Sequence, residues 1–573
     1  MYYMKKYIVM TLMLGLSLTS CNMDKFFELD RPEVTPWQNV NDLEYMVVSP
    51  YTAHFQIPGW QSPLALISYY GELAADIALA NPWSIEQEAL YWYPRQMSTF
   101  DVTGEQLESS FKILYGAVGT CNVPLTFIEE REDAGLPVFD YMTEDDKKVL
   151  ERQKGELYFM RAYSYWMISR IFMPPYNEVN NSKRFIPLIT KLDPAQEALR
   201  NPYMGTVAEV YDFMISDLKK AKNFLPDTNK RGRANKYAAS AFLMRIYWLM
   251  GNTTEALNEC NFIIKNGVED NPYFDLTEEP IRAFNRNAEP LYTTNPLAKE
   301  VLWEAAITAE GANQPIALAR MSKAGGYNFN SAAGSYSPDD LNWTGGLRGQ
   351  NFQHGSWACA YWNPRIIKYI GWSTTDNPLD LQNYVPSDEA LKDKRFVQLH
   401  AFLKGNNGDS GASKEEYEQT FPHMKWNTFW SDKNFRAPYA RYTNVPIVRL
   451  SEIYLTRASL LLASNAEQAR KDVNVIRKRA GLPDLLSVTE EDIEKERIKE
   501  LGFEANDRLT YLVAMKKSID GTKMSLDAID LSSDTNNPMT GTPIRALNPP
   551  YSEMYVPLPS IEYLYSGSSP TIQ

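Results

Sequence analysis

The sequence predicts a mostly α-helical protein in which a scaffold of helical hairpins carries a loop-rich, irregular inserted subdomain. Three observations predict it. Apolar residues recur at three- and four-residue spacing from about 107 to 266 and again from about 446 to 515. Each of these blocks holds a helix–turn–helix segment built on the same plan. Between them, from about 269 to 445, glycine, proline and tryptophan interrupt every period.

The chain opens on a basic start, Lys5 and Lys6, an apolar run from Tyr7 to Leu18, and then Thr19-Ser20-Cys21. This order describes an export signal. Its apolar run of 12 residues is shorter than the roughly 17 needed to span a bilayer. A small-residue signal ending on cysteine resembles a bacterial lipobox, so residues 1–20 are expected to be removed and Cys21 to be acylated, with chains such as palmitate. Several acyl chains hold a protein to a membrane firmly, since each buried methylene adds about 0.8 kcal/mol. The body, 21–573, is read as one domain.

Its composition bounds the possibilities. With 44% apolar and 23% charged residues it can bury a large core. A net charge of -13 excludes nucleic acid as a partner, because phosphates demand a basic face. The cysteines after Cys21, at 121, 260 and 359, form neither a disulfide framework nor a metal motif and read as small buried residues. Tyr, Phe and Trp make up 13% of the chain, enough for both a core and a flat ligand platform.

Taken in order, a first loop patch holds Asp76, Asn81, Trp83, Trp92 and Arg95. The first strong helix runs through 156–168 and is stopped by Pro174-Pro175. Thr206 with Glu209 forms a capping box for the next, which ends near Pro226. Residues 237–249 make one helix, Gly251-Asn252 a break, and 254–265 a second. Residues 447–463, the break Ser464-Asn465 and 466–480 repeat this plan, with Ala256 and Ala469 each four residues after the Asn. Small residues there let two helices approach closely, a grammar similar to tetratricopeptide repeats. In the intervening subdomain Trp343, Trp357, Tyr361, Trp362 and Trp372 crowd together, and Tyr327, Asn328, Arg348 and Asn351 supply polar neighbours. Trp166, Trp248 and Trp303 are read as helix-borne core residues. From 525 onward the tail is poor in helix formers.

The sequence carries no catalytic signature. The four histidines, at 54, 354, 400 and 423, are scattered, and no zinc signature, nucleophile elbow or phosphate loop appears. No enzyme activity, metal or cofactor is expected. The two loop patches instead pair flat rings with Asn, Asp and Arg, which suits a sugar: its C–H face packs on an aromatic ring and its hydroxyls need donors and acceptors. The same rings can also simply pack the insertion against the helices.

Several motifs, in order along nearly the whole chain, resemble the SusD/RagB family of outer-membrane lipoproteins. They are Asp24-Lys25-Phe26-Phe27-Glu28-Leu29-Asp30-Arg31-Pro32; Phe159-Met160-Arg161-Ala162-Tyr163; Gly232-Arg233-Ala234-Asn235-Lys236-Tyr237; Arg449-Leu450-Ser451-Glu452; Asn474-Val475-Ile476-Arg477-Lys478-Arg479-Ala480-Gly481; and Glu496-Arg497 with Glu500-Leu501 and Phe503-Glu504. Ala505 replaces the family's usual Gly, Tyr511-Leu512 its Asp-Leu, and the Asn-Pro-Gly-Tyr ending is absent, which marks a divergent branch. The resemblance implies a SusD-like fold anchored through Cys21 to the outer membrane, facing the exterior. It also implies that the protein captures an oligosaccharide on loop residues and delivers it to a TonB-dependent, SusC-like transporter as its lid. A peptide ligand, or a structural adaptor with inert aromatics, stays open. Arg161, Arg245, Arg449, Arg477 and Arg479, beside acidic Glu452, Glu496, Glu500 and Glu504, are expected to form interhelical ion pairs rather than a charged ligand site.

Overall fold

The computed structural model describes residues 37–55, 63–64, 71–72, 74–80, 105–191, 202–276, 279–284, 298–306, 346–347, 360–374, 385–403, 428–431, 433, 445–504, 506–522 and 543–559. The first half comprises α1 (Val40–Phe55), β1 (Ala78–Ala80), α2 (Glu105–Asp133), α3 (Glu144–Phe172), β2 (Arg184–Pro187), β3 (Met204–Thr206), α4 (Val207–Phe224), α5 (Lys236–Leu249) and α6 (Thr253–Ile264). After β4 (Val301–Ala305) come β5 (Gly346–Leu347), β6 (Ala360–Trp362), α7 (Pro364–Tyr369), α8 (Asp388–Lys392), α9 (Lys394–Leu399), β7 (His400–Leu403) and β8 (Thr428–Ser431). The last part holds β9 (Val445–Arg449), α10 (Leu450–Leu461), α11 (Ala466–Arg479), α12 (Glu490–Leu501), α13 (Asp507–Ala514), β10 (Ile519–Thr522) and β11 (Pro543–Leu547).

Helix α3 is the axis of the first block. Thr143 and Asp146 close a capping box on it, three acidic residues in its first turn face the positive end of its dipole, and nearly every side chain from Leu150 onward is buried between α1, α2 and α4. Its end at Met173 meets Pro174-Pro175, which cannot continue a helix. On α4 the Thr206 hydroxyl accepts from Glu209 N at 3.2 Å and the Glu209 carboxylate accepts from Thr206 N at 2.8 Å, as the spacing predicts. Thr206→Ala is expected to lower stability by about 1 kcal/mol, read by urea unfolding, because it frees a main-chain donor of the first turn.

The two similar hairpins are α5–α6 and α10–α11. Asn252 and Asn465 are the N-caps of their second helices, and Gly251, at φ +75°, makes the left-handed turn between α5 and α6. Ala256 and Ala469 are wholly buried where the helices close on each other. One expectation fails here: residues 447–449 belong to β9 and the helix starts only at Leu450. Strand β9 pairs antiparallel with β4, so the β-branched Val445, Ile447 and Val448 serve a ladder rather than a helical turn. Trp303 accordingly lies on strand β4 and not on a helix, though it is buried in the core as expected. The region 269–445 also holds more regular structure than its sequence suggests, including α7 to α9 and the three-stranded sheet β5-β7-β8.

Arginines clamp neighbouring helices. Arg161 on α3 grips Asp217 on α4 with Nε and Nη2 at 2.7 and 2.8 Å. In the same side-on geometry Arg245 on α5 holds Glu452 on α10, Arg457 on α10 holds Asp472 on α11, and Arg497 on α12 holds Asp507 on α13. Each planar fork fixes the rotation of one helix against the next. A larger buried cluster joins Arg395, Lys433, Arg449, Arg477, Arg479 and Lys499 to Glu300, Glu389, Asp393, Glu496, Glu500 and Glu504. Formal charge there is balanced. Cys121 and Cys260 are free and buried, and burial pushes both thiols far above the usual range, so they serve as core residues. By length and apolarity alone the stretch Glu108–Asp133 of α2 would suit a membrane span; it is instead a core helix packed on α1 and α3, with half of its most apolar 18 residues buried.

Candidate ligand-binding site

The two aromatic patches are joined at their roots by a short ladder. Strand β1 pairs antiparallel with β6, with Ala78 opposite Trp362, Leu79 opposite Tyr361 and Ala80 opposite Ala360. The first patch continues from Ala80 beginning with Asn81, and the second runs into Ala360 from Trp357. Antiparallel partners have Cα atoms about 4.5–5.5 Å apart. Both segments therefore leave the same end of one ladder, and Trp83 and Trp357 are each three residues from it, within a covalent reach of roughly 10 Å.

The ladder is held from below. Asp76, just before β1, takes Arg508 Nε and Nη2 on its two carboxylate oxygens at 2.7 and 2.6 Å, while Arg508 Nη1 also reaches Glu494 at 2.6 Å. Burial would lower the Arg508 pKa, but these carboxylates outweigh it and raise it far above the ordinary value, so the clamp stays charged. The Asp76 carbonyl accepts from Asn363 Nδ2 at 2.8 Å, and Asn363 N donates to Ile77 O at 2.9 Å. The structure thus gives Asp76 a positioning role at the base of the ladder. The Arg508 partner, 432 residues away, carries no signal in sequence.

Beneath the ladder is an aromatic core. Trp362 and Trp372 are wholly buried, 5.8 Å apart and edge-on, and both pack on His400. Trp362 Nε1 donates to His400 Nδ1 at 3.2 Å, and Phe503 closes the cluster 4.9 Å from Trp362. Of the tryptophans crowded in this region, these two are core. They tie β6 to β7, which pairs in parallel with β5. Cys21, Asn81, Trp83, Trp92, Arg95, Tyr327, Asn328, Trp343, Arg348, Asn351 and Trp357 lie outside the described residues. Among the described residues no group of His, Cys, Asp and Glu is arranged to hold a metal ion.

The fold is a helical-repeat scaffold in which a short ladder joins residues 78–80 to 360–362. Residues 59–248 match the family described as starch-binding associating with outer membrane, and residues 299–562 match the SusD family. The chain belongs to the SusD/RagB family, a family of binding proteins. It is 24% identical over 390 residues to a SusD-like protein of Formosa agariphila, covering 64% of this chain and 61% of that one, so the match spans about three fifths of that relative's length. A SusD-like protein of Bacteroides ovatus is 22% identical over 74% of this chain and 67% of its own. Among solved structures, a SusD superfamily protein of Bacteroides thetaiotaomicron superposes with a TM-score of 0.64 at 18% identity, covering 92% of this chain and 98% of that one. A laminarin-binding SusD-like protein superposes with a TM-score of 0.57 at 17% identity over 84% and 92%. These likenesses establish the mostly helical, tetratricopeptide-like fold.

Proposed function

We propose that this protein captures a glycan at the cell surface and delivers it to a partner TonB-dependent, SusC-like transporter of the outer membrane, acting as its lid. The observation that supports the reading is the β1–β6 ladder, which pairs Ala80, next before Asn81 in the chain, with Ala360, three residues after Trp357. Flat rings from Trp83, Trp92, Trp343 and Trp357 stack on sugar faces, while Asn81, Arg95, Tyr327, Asn328 and Arg348 bond hydroxyls. Asp76 sets the base on which they stand. The laminarin-binding relative supports the ligand class, and the family's description supports the outer membrane as its place. Acylated Cys21 tethers the protein there, facing outward, and the helical side meets the transporter. Capture requires no bond to be made or broken.

The test is calorimetry of the protein lacking residues 1–21 against polysaccharide and peptide panels, with Trp83→Ala, Trp92→Ala, Trp343→Ala and Trp357→Ala. Saturable glycan binding is expected, weakened about 10-fold or more in at least one folded variant, equivalent to about 1.4 kcal/mol. Retention of peptides alone would replace the glycan by an extended main chain, and no binding at all would return those rings to the core.

A further inference from the structure

Glu72 stands just before the ladder in a setting that a carboxylate does not tolerate. It is wholly buried, and among the described residues neither carboxylate oxygen has a side-chain hydrogen-bond partner, the main-chain N–H of Phe503 alone being directed at it. Asn506, 2% exposed, is equally unsatisfied at both Oδ1 and Nδ2, and it holds a left-handed φ of 69° at the start of α13 without capping it. The two are neighbours through Gly71: a Cβ on Gly71 would fall 1.2 Å from Asn506 Oδ1, so only glycine lets the segment seat there. Phe503, also left-handed at φ 63°, lies between α12 and α13 and directs its main-chain N–H toward Glu72.

The charges facing Glu72 come from three places. Asp507 on α13 and Glu504 before it are negative, and Lys433 is positive. Lys433 is already engaged by Glu504 at 2.6 Å and by the carbonyls of Glu500 and Gly502 at 2.6 and 2.8 Å. Burial first, then Asp507 and Glu504, push the Glu72 carboxyl well above the usual carboxylate range against the opposing pull of Lys433 and the Phe503 N–H. A neutral acid fits where an anion does not, because it needs no counter-charge.

We propose that Glu72 is a proton-operated latch: as the neutral acid it keeps the segment 71–80 seated on the α12–α13 turn, and ionisation loosens the ladder that roots the candidate ligand loops. The sign follows from linkage. The folded carboxyl keeps its proton where that of the unfolded chain has lost it, so the folded state is penalised progressively from about pH 4.5 upward until the folded carboxyl itself ionises. This does not depend on the identity of the ligand.

The experiment compares the protein with Glu72→Gln, an isosteric neutral mimic, by hydrogen exchange of the β1 amides across pH and by infrared spectroscopy. A protonated-carboxyl band present at neutral pH and lost in Glu72→Gln is expected. The opening constant of the β1 amides, corrected for intrinsic exchange, should rise by up to about tenfold per pH unit in the parent and stay flat in the variant. Identical bands and parallel exchange profiles would overturn the proposal. So would a Glu72→Gln protein that fails to fold, since a neutral side chain is what the site is inferred to hold.

Discussion

Glu500→Ala is expected to lower the unfolding free energy by about 3–5 kcal/mol, because it leaves a buried, charge-balanced cluster with one positive charge in excess. Glu500 is the hub of the buried cluster. Its Oε1 takes Arg449 Nη1 at 2.9 Å and Arg479 Nη2, its Oε2 lies 3.7 Å from Arg395 Nη1, and its carbonyl accepts from Arg449 Nη2 at 3.0 Å. Arg395 and Arg449 are themselves almost fully buried, at 0% and 2% exposure. Removing the acid leaves an excess positive charge among them in a medium where that is costly, whereas water would have absorbed the loss at a surface pair. The check is equilibrium urea unfolding followed by circular dichroism. A loss under about 1 kcal/mol would mean that the remaining carboxylates re-pair with the arginines.

The same cluster sets a pH response. Burial would raise the Glu496 carboxyl, but Arg395, Lys499 and Arg477 outweigh it and hold it at about 2, and Arg479, Arg449 and Arg395 likewise hold Glu500 far below the usual range. Carboxyls depressed in the folded state contribute stability that is fully present above about pH 4.5 and is lost as pH falls toward 2 and beyond. Glu500→Ala should therefore flatten the acid limb of the stability profile between pH 5 and 2, as well as lower it overall.

Trp303→Ala is expected to cost about 3–5 kcal/mol as well, by a different route. The indole, 1% exposed, is ringed by Phe159 and Tyr163 of α3 at 4.8 and 4.9 Å, Phe55 of α1 at 5.6 Å and Phe242 of α5 at 5.9 Å, all in tilted or edge-on contact. Its Nε1 donates to Gly232 O at 3.1 Å. Strand β4 thus inserts one residue into the seam of three helices, and truncation opens a cavity that rigid helices cannot collapse around. Trp303→Phe keeps most of the apolar contact and loses the hydrogen bond, so about 1 kcal/mol is expected. Near-equal effects for the two variants would show that the hydrogen bond, not the ring packing, dominates.

The helical scaffold was legible in the sequence because its determinants are local. Thr206 with Glu209, Asn252 and Asn465 as caps, and Ala256 and Ala469 at close approaches all act within one or two turns of their own position. The acidic and basic motif residues announced ion pairing, since long charged side chains on largely apolar helices must find partners when buried. What sequence could not say was which partner each would take. Arg161 meets Asp217 and Arg245 meets Glu452 only after the helices dock.

The candidate site divides in the same way. Composition alone marked the two patches as aromatic and polar, yet it could not tell that Trp362 and Trp372 fill the core. A tryptophan is equally suited to a core or a ligand platform by its own chemistry, and only the packing of strands around it decides. Nor could it tell that residues 447–449 form a strand, because a short apolar run before a helix satisfies both periods. The pairing of β1 with β6 joins positions 80 and 360, and the clamp from Asp76 to Arg508 spans still more of the chain. Contacts of that separation are stabilised by the whole core they close and by no residue near them in sequence, so local pattern determined the helices of this protein and tertiary packing determined which distant segments meet.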